Sequence, residues 1–241
     1  MPAYGEDLAF IHDAGFSAYC LGAAPGLLRI LRSHGIADGL VADLGCGSGR
    51  WARRLNDAGY RVCGIDRSES LLRLARRAAP QSRFLAGSLW EVALPRCDAV
   101  TSLGECLNYA GDPRARAAPH RLFARVFAAL RPGGVFVFDA ATPDRIPEDG
   151  PRRHWTDGPG WAVLVETAGG RRRRTLTRRI VSFRRIGGHY RRREEVHTLR
   201  LYRSAQILED LTRAGFDAVP LAGYGRFRFP HGIAGFVARK P

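Results

Sequence analysis

The stretch Asp43-Leu44-Gly45-Cys46-Gly47-Ser48-Gly49 decides the fold. It ends the apolar run 39–44, which predicts a buried strand, and it precedes a segment with Trp51, Leu55 and Ala58 at helical spacing. Glycines allow the backbone to turn tightly and to approach a ligand without a Cβ in the way. A strand, a glycine loop and a helix in this order predict a nucleotide-type ligand site.

An acidic residue supports that site. Residues 60–66 predict a second strand that ends at Asp66, 21 residues after Gly45. An acid there can accept hydrogen bonds from both ribose hydroxyls of a ligand. The loop is GxGxG rather than the GxGxxG of nicotinamide sites, and Asp43 beside it disfavours a pyrophosphate but suits an ammonium group. S-adenosylmethionine (SAM) fits this pattern, while a nicotinamide oxidoreductase and a turn without a ligand remain alternatives.

Strand and helix alternate five times in the first 140 residues, which predicts parallel βαβ units and a doubly wound sheet. A helix over 16–34 comes first, and Ser68 is expected to cap a later one. The remaining strands are expected at 83–86, 97–103 and 135–139, with a helix over 114–130 that ends before Pro132-Gly133-Gly134.

The pattern changes after Asp139. Residues 140–160 are rich in Pro, Gly, Asp and Arg and predict a loop. Residues 161–203 alternate with period two, and glycine pairs at 169–170 and 187–188 suit turns, so about three antiparallel strands are expected. A helix capped by Ser204 that runs to Gly215, and two strands at 216–221 and 232–239, complete the chain.

Five segments resemble the motifs of class I SAM-dependent methyltransferases. They are VADLGCGSG, GIDRSESLLRLARR, RFLAGSL, LGECLNY and ALRPGGVFVFDAATP. The resemblance implies SAM as cofactor, S-adenosylhomocysteine (SAH) as product, and a Rossmann-like α/β fold. Its sheet would be seven-stranded and mostly parallel with an antiparallel last hairpin, here with a small antiparallel β insertion. Ser88 departs from the family, which often has an acid at that position.

The resemblance also divides the chain into four parts. Residues 1–38 are expected to form an N-terminal helical lid, and 39–140 the SAM-binding core. Residues 141–203 form a loop and β insertion, either on the acceptor side or on an oligomer surface. Residues 204–241 complete the core sheet with the last helix and the terminal hairpin.

The expected cofactor contacts lie in the loop and at the strand ends that follow it. They are Asp43, Gly45, Cys46, Gly47, Gly49, Asp66, Arg67, Gly87, Ser88, Leu89, Leu103 and Gly104. No spacing of histidines, cysteines or acids suggests a metal site.

Candidates for the acceptor side come from three places. The N-terminal segment offers Tyr4, His12 and Tyr19, with a plain surface helix as the alternative. Glu105, Asn108 and Tyr109 follow the fourth strand, where position favours function. Glu195 and His197 share one face of a strand, so the two side chains together could act as a general base. Glu105 is a further catalytic candidate. The alternative for Glu195 and His197 is an exposed cross-strand salt bridge.

The charge distribution narrows the acceptor class. The formal net charge is +15, which suggests nucleic acid or an acidic substrate. Residues 151–203, however, hold 15 arginines and four acidic residues, a net charge of +11 in one segment. We therefore expect methyl transfer to N or O of a small molecule, with an RNA or DNA methyltransferase and a non-catalytic SAM-binding protein as alternatives. A homodimer stays open.

The remaining composition predicts an ordinary cytoplasmic protein. Five scattered cysteines without a CxxC pair indicate reduced thiols rather than a disulfide framework. No apolar run reaches the roughly 20 residues needed to span a bilayer, and the first ten residues do not resemble a signal peptide.

Overall fold

The computed structural model of the protein describes residues 4–110, 119–170 and 172–241. The helices are α1 (Glu6–Gly15), α2 (Ala18–Ser33), α3 (Arg50–Asp57), α4 (Glu69–Ala78), α5 (Pro119–Ala129) and α6 (Ser204–Arg213). The strands are β1 (Leu40–Leu44), β2 (Arg61–Asp66), β3 (Arg83–Ala86), β4 (Cys97–Ser102), β5 (Leu130–Ala141), β6 (Arg152–Gly158), β7 (Trp161–Gly170), β8 (Thr175–Ile186), β9 (His189–Arg200), β10 (Asp217–Leu221), β11 (Gly223–Tyr224), β12 (Phe227–Arg228) and β13 (Ile233–Arg239).

The main sheet has seven strands in the order β10-β13-β5-β4-β1-β2-β3. β1 to β5 pair in parallel, while β13 runs antiparallel to both β5 and β10. The predicted fold class is therefore confirmed. Chain order reverses between β1 and β4, and a crevice at the carboxyl ends of strands next to such a switch point is where doubly wound sheets bind ligands.

The main sheet is covered on both faces. Val135, Phe136, Val137 and Phe138 are all fully buried, and their side chains alternate between two separate apolar clusters. Helices on both sides explain why these parallel strands are continuous apolar runs rather than alternating ones. This packing fixes the ends of β1, β2, β4 and β5 as a rigid platform.

The insertion is a second, antiparallel sheet with the order β6-β7-β8-β9. Residues 161–203 form three antiparallel strands as predicted, but the prediction of a loop throughout 140–160 was wrong, because residues 152–158 form β6. The segment Gly158 to Trp161 turns the chain so that β6 pairs with β7 from Arg152↔Thr167 to Gly158↔Trp161. The neighbouring strand supplies the hydrogen bonds, which the composition of an exposed edge strand cannot reveal.

Several element ends were predicted correctly and others were not. Ser68 caps α4 as expected, since its Oγ accepts the Leu71 amide at 3.1 Å. The cap of α6 is Arg203 rather than Ser204, and a separate α1 precedes the first expected helix. Pro132-Gly133-Gly134 lies within β5, which already begins at Leu130. The expected helix start at 114 and Arg171 lie outside the described residues.

Within the described ranges, no single helix is long and apolar enough to cross a bilayer; α1 and α2 together pass on length and composition but are bent by 59°.

Candidate active site

One large cavity opens at the carboxyl ends of the central strands. Its volume is about 830 Å³, and its wall is built by the main sheet, the N-terminal helices and the insertion. This volume falls within the range of small-molecule sites, roughly 300–1,000 Å³. Three separate parts of the chain therefore meet at one place.

The glycine loop forms one end of this cavity. Gly45, Gly47 and Gly49 have positive φ angles of 74°, 54° and 75°. A Cβ on Gly45 would lie 2.4 Å from the Cys106 sulfur, so only glycine fits there. A Cβ on Gly47 would meet nothing within 4 Å, and both Gly45 and Gly47 line the cavity. The loop thus leaves exposed backbone beside an open space.

Asp66 stands beside this loop at the end of β2. Its Oδ2 accepts the Gly47 amide and its Oδ1 accepts the Ser68 amide, both at 2.9 Å. Burial raises the pKa of Asp66, while these amide donors oppose that shift. A carboxylate can accept about four hydrogen bonds, so this side chain could also accept a hydrogen bond from a ribose hydroxyl.

Besides Gly45, seven more of the twelve expected cofactor residues line the cavity. They are Gly47, Asp66, Arg67, Gly87, Leu89, Leu103 and Gly104. Gly104 has φ 79°, and a Cβ there would also meet nothing within 4 Å. An open groove along exposed backbone, ending at a carboxylate, fits the amino acid and ribose parts of SAM.

The other four expected cofactor residues lie behind the wall. Asp43 is buried and accepts the Thr101 hydroxyl at 2.8 Å, and burial raises its pKa to about 7. Gly49 packs on Ala75, while the Ser88 hydroxyl accepts the Trp90 amide at 3.1 Å. Cys46 is buried, with its sulfur beside Gly64. None of these four residues lines the cavity.

Asp139, at the end of β5, organises the cavity floor, and sequence reasoning missed it. Its carboxylate accepts the Gly104 amide at 3.0 Å, the Glu105 amide at 2.6 Å, and the Tyr19 and Tyr224 hydroxyls at 3.0 Å each. Burial raises its pKa to about 6, although all four donors oppose that shift. The strand-end argument that singled out Asp66 would also have found it.

Glu105 projects from this floor in a left-handed conformation with φ 58°. One carboxylate oxygen pairs with Arg178, while the other, Oε2, lies 4.0 Å from Arg145 Nε. Oε2 is buried and has no hydrogen-bond partner among the described residues. Burial alone would lower the pKa of Arg178, but the Glu105 charge raises it above its ordinary value. Arg178 and Arg145 were not expected here, because nothing distinguishes them from neighbouring arginines in the sequence.

Glu195 and His197 meet as the strand pattern predicted. His197 Nε2 and Glu195 Oε2 are 2.9 Å apart, and Oε2 and Oε1 also accept the amides of Tyr4 and Gly5 at 2.7 and 2.9 Å. Burial would raise the pKa of Glu195, but the three donors hold it below its usual value. His197 is 4% exposed, so the pair is not an exposed salt bridge.

The N-terminal segment closes over this pair. Tyr4 and Tyr109 share a hydrogen bond of 2.9 Å between their hydroxyls, and burial raises the pKa of Tyr4 to about 12. The Ser68 hydroxyl donates to the Tyr4 carbonyl at 2.7 Å. His12 packs edge-on against Tyr4 with ring centroids 5.1 Å apart. The segment is therefore hydrogen-bonded both to β9 and to Ser68, the N-cap of α4.

The candidate acceptor residues divide into two groups. Tyr4, His12, Tyr19 and Tyr109 line the cavity. Asn108 does not: its amide donates to the carbonyls of Ala141 and Arg200, and its Oδ1 accepts the Ala141 amide at 2.8 Å. Its side chain joins β5 to β9, so it supports the wall from behind.

The described part of the chain contains no group of three His, Cys, Asp or Glu residues able to hold a metal ion. The five cysteines are free.

Comparison with known proteins assigns this arrangement to a class. Residues 41–134 match the family described as "Methyltransferase domain". The structure of a SAM-dependent methyltransferase from Clostridium acetobutylicum superposes with a TM-score of 0.81 at 20% identity, covering 96% of this chain and 97% of that one. Residues 41–134 are therefore a methyltransferase domain, and the fold is the one found in that SAM-dependent enzyme.

Two further similar proteins are named for the sugars that they methylate. The dTDP-3-amino-3,6-dideoxy-alpha-D-glucopyranose N,N-dimethyltransferase of Streptomyces fradiae is 29% identical over 216 residues, which is 83% of this chain and 78% of that protein. SAM-bound CalS10, an amino pentose methyltransferase from Micromonospora echinaspora, superposes with a TM-score of 0.75 at 21% identity over 100% and 99% of the chains. The chain thus carries a methyltransferase domain and shares its whole fold with SAM-dependent methyltransferases.

Proposed function

We propose that this enzyme transfers the methyl group of SAM to a nitrogen or oxygen of a small-molecule acceptor. One observation carries the proposal. Among the described residues, the buried side-chain polar atoms without a partner are His12 Nδ1, Glu105 Oε2 and His197 Nδ1, and all three residues line the same cavity. Buried polar groups left unpaired are costly, so a polar ligand at this place accounts for them.

The proposal divides the work among the parts of the chain. Residues 39–140 and 204–241 would hold the cofactor, with Gly47 and Gly104 against its amino acid part and Asp66 at its ribose. Residues 1–38 would cover it as a lid. The insertion, residues 141–203, would supply the acceptor wall through Arg178, Glu195 and His197.

Methyl transfer from a sulfonium needs alignment and the exclusion of water more than it needs acid–base groups. SAM supplies the electrophilic methyl group. His197 donates Nε2–H to Glu195 in the tautomer that the carboxylate favours, which leaves Nδ1 able to accept a proton. An acceptor that carries an N–H or O–H proton to be lost could release it there.

Nitrogen is supported by the relatives, since the Streptomyces fradiae and Micromonospora echinaspora proteins act on amino sugars by their names. A nucleic acid acceptor has less support. Arginines of the insertion such as Arg178, Arg179 and Arg191 pair with carboxylates, which leaves less positive charge for a phosphate backbone than their number suggests.

The test is SAH release from SAM with a panel of small amines and alcohols, with bulk RNA as a separate arm. His197→Ala is expected to lower turnover of the best acceptor by about 10²-fold or more, with the affinity for SAM unchanged. His189→Ala, an exposed histidine on the same strand, is the matched control. An unchanged rate in His197→Ala removes the base role, and SAM binding without transfer to any acceptor favours a non-catalytic protein.

A further inference from the structure

Two arginines lie at the acceptor end of the cavity, close to a single carboxylate that neither of two neighbouring acids can replace. Arg145 and Arg178 both line the cavity, and both are coupled electrostatically to the same carboxylate, Glu105. Arg178 is paired with Glu105 directly, whereas Arg145 Nε is 4.0 Å from the nearer oxygen. One carboxylate therefore faces two guanidinium groups in a partly buried place.

The other carboxylates nearby are already engaged. Asp139 accepts four hydrogen bonds from backbone amides and tyrosines. Glu195 accepts three, from Tyr4, Gly5 and His197. Neither carboxylate contacts Arg145, so the guanidinium group of Arg145 lacks a carboxylate at hydrogen-bond distance within the described part of the chain.

The position of Arg145 is fixed by neighbouring backbone groups rather than by a carboxylate. It ends the short 3₁₀ turn Pro143–Arg145, and its Nη1 donates to the His231 carbonyl at 3.0 Å. Gly232, with φ 75°, allows the two backbone segments to come this close, because a Cβ there would lie 2.4 Å from the backbone nitrogen of Arg145. The side chain stays 34% exposed, although burial lowers its pKa. Most of the guanidinium donors thus remain available to a ligand.

We propose that Arg145 forms an oxyanion subsite in this cavity, so that the methyl acceptor is a small molecule carrying a carboxylate or phosphate group. The inference rests on the proposed function and adds the substrate class to it. Glu105 Oε2 complements the subsite, because an N–H or O–H donor of the same ligand would satisfy that buried oxygen. A guanidinium suits the task, since its planar fork matches carboxylate and phosphate oxygens. The acceptor would then present a hydrogen-bond donor close to its anionic group.

The experiment measures anion binding to the SAH-loaded protein by calorimetry at constant ionic strength. The probes are inorganic phosphate and pyrophosphate in one arm, and acetate and malonate in the other, which separates phosphate from carboxylate recognition. Arg145→Gln is compared with Arg172→Gln, which removes the same charge from the exposed turn between β7 and β8. SAH affinity is measured for every variant.

We expect saturable binding in at least one arm, weakened about tenfold or more by Arg145→Gln and unchanged by Arg172→Gln. Binding in neither arm, or equal loss in both variants, overturns the subsite. Failure of the wild-type protein to bind SAH overturns the proposed function instead.

A second measurement does not depend on the variant folding. In the wild-type protein, phenylglyoxal modification of individual arginines is followed by mass spectrometry with and without the binding anion. The anion should protect Arg145 at least about threefold and leave Arg172 unchanged, as expected for direct contact. Equal modification of Arg145 with and without the anion refutes the proposal.

Discussion

Replacing Glu195 by glutamine tests whether one carboxylate holds both the lid and His197. The carboxylate accepts the Tyr4 amide at 2.7 Å, the Gly5 amide at 2.9 Å and His197 at 2.9 Å. Glutamine keeps the size of the side chain but has only one acceptor oxygen. Its NH₂ group would face a backbone N–H of Tyr4 or Gly5, and two donors cannot form a hydrogen bond. The change therefore removes charge and acceptor capacity without opening a large cavity.

The magnitude follows from these three contacts. A hydrogen bond to a charged group contributes about 1.5–3 kcal/mol net, and a donor left unpaired costs about 1–3 kcal/mol. Because glutamine keeps part of the network, we expect a loss of roughly 2–4 kcal/mol in lid closure. The Glu195 side chain is 15% exposed, so solvent screens little of this effect.

The assay is limited proteolysis of the N-terminal segment, with denaturant unfolding of the whole protein in parallel. Cleavage within residues 4–17 should become roughly 30-fold faster or more in Glu195→Gln, since 2 kcal/mol is about a 30-fold change in a closing equilibrium. Glu194→Gln is the matched control, because that residue pairs with Arg179 and Arg192 at a solvated surface and should change little.

The same contact predicts a pH dependence. The pKa of Glu195 is held below its usual value of 4.5, so its contribution is present above that pH and is lost as the pH falls through the lower folded-state pKa. Lid protection in the wild-type protein should therefore fall at acidic pH, and Glu195→Gln should show no such step. Equal cleavage rates for Glu195→Gln and Glu194→Gln at neutral pH would refute the reasoning.

Three further changes test the cofactor end and the core. Asp66→Ala should weaken SAM binding about tenfold or more, because a hydroxyl hydrogen bond to a carboxylate is lost; calorimetry checks this, with exposed Asp57→Ala as control. Burial disfavours the ionised form of Asp43, so its ionisation should lower the unfolding free energy as the pH rises from about 4 to the folded-state pKa of about 7. Asp43→Asn should remove that contribution to the decline. Urea unfolding across this pH range measures the decline, and an unchanged decline in the variant argues against the prediction. Phe138→Ala should cost about 3–5 kcal/mol in the same assay, since that ring is fully buried and stacks on Phe136 with centroids 4.3 Å apart; a loss under 1 kcal/mol would contradict the packing described.

The cofactor half was predictable because its signals are local. The positive-φ glycines of residues 45–49 follow an apolar strand directly, and Asp66 ends the next strand, so short stretches of chain carry both the turn geometry and the ligand chemistry. The Glu195 and His197 pairing was predictable for the same reason, because residues two apart on a strand point to one side. Buried parallel strands likewise reveal themselves as continuous apolar runs.

The arrangement of the other side chains around the cavity depended on contacts between distant residues. Arg178 is one of 15 arginines in its segment, and only the register of β8 against β9, which pairs it with His197, directs it inward to Glu105. Asn108 looked like a ligand residue but is used to join β5 to β9. β6 has a loop-like composition, and its pairing with β7 makes it a strand.

The sequence by itself determined the class of this protein, a doubly wound methyltransferase with a glycine loop, a carboxylate at the end of its second strand and a β insertion. Periodicity, glycine positions and strand-end acids are signals that act over a few residues. Only the tertiary structure decided which charges meet: it buries Glu105 between Arg178 and Arg145, ties the lid to Glu195, and sets Asp139 beneath the cavity. The physical reason is that strand register and burial, which choose the partner of each charge and the cost of leaving it unpaired, arise from packing across the whole chain.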